Sequence, residues 1–138
     1  MCAYVNLVEQ EKFLKKNKGK KIVTVYKIMS IDNTLKMFRL ISPYVYHMYF
    51  PGIIKSDSRA KLQTQNNREI NKGIHCYISL KWAKFKQERF LGENTTIIKL
   101  EANMSDLICV GYNDEVVFRK VKLHENEYKR IQNEKNSN

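Results

Sequence analysis

Gly73-Ile74-His75-Cys76-Tyr77-Ile78-Ser79 is the most informative stretch of the chain. Its alternation predicts a strand that sends Ile74, Cys76 and Ile78 to one face and His75, Tyr77 and Ser79 to the other. Ser79 can cap the helix predicted by the residues that follow, so the polar face would end beside helix N–H groups able to receive phosphate. One expectation is a nucleotide pocket. The other is a half-exposed strand followed by an ordinary helix cap.

Lys12, Lys15, Lys16, Lys18, Lys20 and Lys21 fall within ten residues. They close a helix predicted over residues 6–17, with Asn6 as N-cap and Gly19 just past the end, and put cations where the helix dipole is negative. This basic spot is either a solvated surface or a nucleic-acid-binding one. Cys2 raises a third chemistry. If the initiator Met is removed, the new α-amino group, with a pKa of about 8, could act as base toward its own thiol. A small buried hydrophobe near the first helix is the competing account of Cys2.

Tyr44, Tyr46 and Tyr49 with His47 could stack bases, although strand alternation separates Tyr44 and Tyr46 from His47 and Tyr49, which favours core packing. His47, His75, His124, Cys76 and Cys109 lack ligand spacing, so no metal site is expected. Neither a P-loop nor a nucleophile-elbow motif is present.

Something must hold these groups in place, and the composition supplies it. With 138 residues, 43% of them hydrophobic, and 15 aromatics (8 Tyr, 6 Phe, 1 Trp), a single core can form without a staple. Three cysteines without paired spacing fit a reducing, cytoplasmic compartment. No signal-like segment is seen, and no apolar run approaches the ~18 residues of a membrane span. The formal charge of +11 favours a polyanionic partner.

Residues 22–29 are β-branched and apolar on both faces, as in a central strand. A second strand over 35–41 is interrupted by Ser42-Pro43, and residues 44–50 run to Pro51-Gly52. Residues 53–72 show little periodicity and predict either a mobile flap or a hidden hairpin. A helix follows over 80–90, then strands over 95–102, 107–110 and 115–123, and a charged helix over 124–135. The expected fold is α+β, a mixed, mainly antiparallel twisted sheet of about six strands with two or three short helices. One domain spans residues 1–135, and 136–138 fray.

Several pieces resemble small phage and bacterial proteins of unknown function that begin Met-Cys, as Met1-Cys2 does here. The pieces are residues 20–29 with Val25-Tyr26-Lys27, the Ser42-Pro43 and Pro51-Gly52 turns, the 73–79 segment with Trp82-Ala83 behind it, and Val116-Val117-Phe118-Arg119. Their order also resembles the ADP-ribosyltransferase fold. That resemblance implies Lys27 in the place of the first-strand Arg or His, Tyr77 and Ser79 on the second strand, and Glu115 as the later Glu. Lys27 departs from the pattern because an ammonium lacks the planar guanidinium fork, and Asn113 stands where a second carboxylate would precede Glu115.

The leading expectation is a non-enzymatic basic binding protein of phage or mobile-element type. It would engage nucleic acid or a host nucleoprotein through the lysine run, with no membrane and no cofactor, and an inhibitor of host defence belongs to this class. One alternative is an ADP-ribosyltransferase-like enzyme acting on NAD or a nucleotide, with Tyr77, Ser79 and Glu115 around a pocket that includes Lys27 and His75. The other is an enzyme with Cys2 as nucleophile.

Overall fold

A computed structural model describes residues 3–32, 38–42, 47–91 and 94–136. The chain opens with β1 (Ala3–Tyr4) and α1 (Leu7–Lys16), where Asn6 Oδ1 accepts the Glu9 amide and Gly19 takes a left-handed φ of +84° past the end. β2 (Ile22–Asp32), β3 (Arg39–Ile41), β4 (Met48–Tyr49), β5 (Gly52–Lys55), β6 (Glu69–Ile70) and β7 (Ile74–Tyr77) follow. α2 (Leu80–Lys86) runs on into a π turn at Gln87–Leu91. Then come β8 (Thr95–Asn103), β9 (Leu107–Val110), β10 (Glu115–Phe118), β11 (Lys120–Leu123) and α3 (Glu125–Asn136). The α+β class and the antiparallel pairing are as expected, and every recorded strand pair is antiparallel.

The sheet order is β5-β11-β8-β2-β7-β10-β9, with β3 added to β2 and β4 to β3. β2 and β8 form its spine, in register from Ile22–Asn103 to Ser30–Thr95. The stretch 115–123, expected as one strand, breaks at Arg119. β10 lies with β7 and β9 while β11 lies with β5 and β8. In a flat sheet two strands four places apart stand about 19 Å from each other. One residue between them reaches at most ~7 Å. The sheet must therefore curl on itself, and Val25, Met29, Ile98, Leu100, Phe118 and Leu123 pack together with Ile131 of α3.

Arg119 ties this corner. Its guanidinium donates to the Ala60 carbonyl at 2.9 Å, to the Ser105 carbonyl and to Asp106, and its own carbonyl accepts Ser56 N and Oγ. These bonds also anchor residues 53–72. That segment forms no hairpin of its own: β5 joins β11, β6 joins β1, and the Gln63 amide donates to the Ile108 carbonyl. Its partners lie far away in the chain, so local periodicity carried no sign of them. Gln10 of α1 adds another long-range tie, donating to the Gln63 carbonyl and accepting the Val110 amide. No helix among the described residues is long and apolar enough to cross a membrane.

Candidate functional site

Alternation along β2 puts Lys27 in the same row as Val25 and Met29, both fully buried. An ammonium in that row is costly unless it is compensated, and Lys27 is only 8% exposed. The sheet provides the means. β8 occupies one edge of β2; on the other, β7 is in register at Tyr26–Tyr77, while from Ser30 onward that edge serves β3. The strands part between these points, and there Lys27 Nζ donates to the His75 carbonyl at 2.9 Å. Among the described residues this is its one hydrogen bond, so two ammonium N–H groups are left over.

The parting opens a cavity of about 270 Å³. Lys27, Ser42, Tyr49, Ile74 and His75 form its buried floor, and His47, Lys55, Asp57, Asn71 and Lys72 form an exposed rim. Three lysines thus face one aspartate. Desolvation lowers the Lys27 pKa from its ordinary value, and Cys76 opposes that shift. Burial pushes the Cys76 thiol up to about 11, with Lys27 pulling the other way, and raises the Tyr49 phenol further still. The His75 pKa is held at about 4 by burial and by the nearby Lys27 charge. At neutral pH, then, His75, Cys76 and Tyr49 are uncharged, and Lys27 is the buried group of the four that can carry a charge.

The other predicted residues lie elsewhere. Tyr77, 3% exposed, packs with Ile28 and Ala83, and pairs in register with Tyr26 on one side and Glu115 on the other. Ser79 caps α2, its Oγ accepting the Trp82 amide at 3.3 Å. Glu115 opens β10, where burial raises its carboxyl pKa against the pull of Lys86. Tyr77 and Glu115 are thus neighbours and Ser79 lies two residues on, but none of the three lines the Lys27 cavity. Cys2, Tyr44 and Tyr46 lie outside the described residues. Tyr49 is buried with the His47 ring edge-on to it.

Of the lysine run, Lys12 pairs with Glu9 and Lys15 with Glu11, both within α1. Lys16 and Lys20 line a second hollow of about 280 Å³ together with Phe13, Asn17, Ile22 and Ile78. All six lysines are exposed. Among the described residues no carboxylate lies within salt-bridge distance of Lys16, Lys18, Lys20 or Lys21. No three His, Cys, Asp or Glu side chains among the described residues are grouped to hold a metal.

Sequence reasoning singled out Lys27 and His75 but missed Ser42, Lys55, Asn71 and Lys72. The last three sit at the two ends of the 53–72 stretch, whose weak periodicity was the one available hint. Comparison of the chain with protein-family models, curated proteins and solved structures finds no match.

Proposed function

We propose that this chain is a small basic binding protein, of phage or mobile-element type, that engages nucleic acid or a host nucleoprotein through the lysine surface at the end of α1. The observation that carries this reading is the hollow beside Lys16 and Lys20. Two cations without a recorded carboxylate partner flank a floor that includes Ile22, an apolar side chain 51% exposed. Phosphates would meet the ammonium groups, and a sugar or base edge would rest on the apolar floor. Lys18 and Lys21, next to Lys20 and its neighbours in the chain, are exposed as well and would add phosphate contacts. An inhibitor that occupies the nucleic-acid face of a host defence protein is one form this activity would take.

Two observations weigh against the transferase reading: Tyr77 is packed and Ser79 is engaged as a cap, so neither presents a free hydroxyl to the Lys27 cavity. The test is fluorescence anisotropy with a labelled oligonucleotide, comparing the native chain with the double variant K16E/K20E. The reading predicts at least a tenfold loss of affinity, since two phosphate contacts are replaced by repulsion. Equal affinity in the two proteins would refute it.

A further inference from the structure

The cavity at the parting of β2 and β7 is separate from the lysine surface of α1, and its chemistry points to a different kind of ligand. We propose that it is a binding site for a phosphate monoester, with Lys27 at its floor and Lys55 and Lys72 at its rim.

Three features select that ligand class. Lys27, Lys55 and Lys72 face Asp57 alone, a formal surplus of two positive charges (three minus one), which matches the roughly −1.5 to −2 charge of a phosphate monoester near neutral pH. The described lining holds no arginine, so its three lysines would meet a phosphate as point charges rather than through a bidentate fork. Ser42 and Asn71 supply neutral donors for the remaining phosphate oxygens. Tyr49 and Ile74 give the carbon skeleton of the ester something to rest against, and the cavity's 270 Å³ lies just below the range of about 300–1,000 Å³ usual for small-molecule sites.

Lys27 is what makes this a built site. Its ammonium is more than nine-tenths buried and has one recorded protein partner, so an anion entering the cavity would meet two N–H donors already desolvated and in place. Such an anion would also favour the charged form of Lys27, against the desolvation that lowers its pKa.

The phosphate could belong to a free metabolite-sized ester or to the 5′ end of a nucleic acid. Isothermal titration with ribose 5-phosphate tests the first source. A pair of otherwise identical oligonucleotides, one with a 5′-phosphate and one with a 5′-hydroxyl, tests the second. In at least one arm the phosphate should bind, and Lys27→Met should weaken it about tenfold or more, as the loss of a charged hydrogen-bond donor does. Lys72→Ala, an exposed substitution that leaves the core intact, should weaken it several-fold and decides the matter if Lys27→Met fails to fold. No binding in either arm, or binding unchanged in the folded variants, would overturn the proposal.

Discussion

Lys27 Nζ and the carbonyl oxygen of His75 lie 2.9 Å apart where β2 and β7 part company, so a buried ammonium is held by a single backbone acceptor. The contact joins two residues 48 positions apart and fixes the floor of the cavity. It also leaves charge and burial in conflict, which gives stability experiments a handle.

Lys27→Met should stabilise the free protein at pH 7 by about 1 kcal/mol or more, because an apolar chain of similar length removes the desolvation cost. Desolvation lowers the folded-state pKa of Lys27, so between that value and 10.5 the unfolded chain binds more protons and the Lys27 contribution to stability rises with pH. Urea denaturation of both proteins from pH 7 to 10 measures the difference. The native chain should gain on the variant as pH rises; a flat difference curve would mean that Lys27 is not desolvated.

His75 works at the other end of the scale. Its folded pKa of about 4 lies below the ordinary 6.5, so stability is intact above pH 6.5 and is lost as pH falls through 4, where the unfolded state takes up the proton first. Both ring nitrogens are buried without a hydrogen-bond partner among the described residues, so His75→Leu forfeits no ring contact of that kind. The variant should match the native chain near pH 7 and exceed it by about 3 kcal/mol near pH 4, a figure set by the size of the shift. Paired acid-titrated urea melts read the difference.

Gly73 has no room for a side chain. At φ +104° an added Cβ would lie 2.6 Å from Val117 Cγ1 and 2.9 Å from Ile108 Cδ1. Gly73→Ala should cost about 2–4 kcal/mol, from backbone strain and overpacking together, seen as an earlier urea midpoint.

Arg119→Lys should destabilise the chain by about 1–3 kcal/mol despite keeping the charge, because one ammonium cannot serve the Ala60 and Ser105 carbonyls together with Asp106. Hydrogen exchange should quicken in residues 56–63 and in β11 before it does in β2.

The parts of this architecture that could be read from sequence are those set by neighbours along the chain. Asn6 and Gly19 bracket α1, Ser79 caps α2, and the β-branched run of β2 marks a central strand, although Ile22 and Thr24 leave one face of its first half exposed rather than covered. Lys27 and His75 were legible as a pocket pair, yet the contact uses the His75 backbone carbonyl, which residue types do not reveal. Hidden from sequence was everything that depends on distant pairing: the break at Arg119, the tie of Gln10 to Gln63 and Val110, and the placing of Lys55 and Lys72 across one cavity. Residues 53–72 show why, since their order comes from β1 and β11 and not from their own pattern.

The lysine surface at the end of α1 stands or falls on how binding responds to ions. Measured across a series of potassium chloride concentrations, the logarithm of the native chain's association constant for an oligonucleotide should fall linearly against the logarithm of salt. A slope of about −3 to −4 is expected if Lys16, Lys18, Lys20 and Lys21 each displace a counterion. A slope near zero, or no association at the lowest salt, would contradict the account.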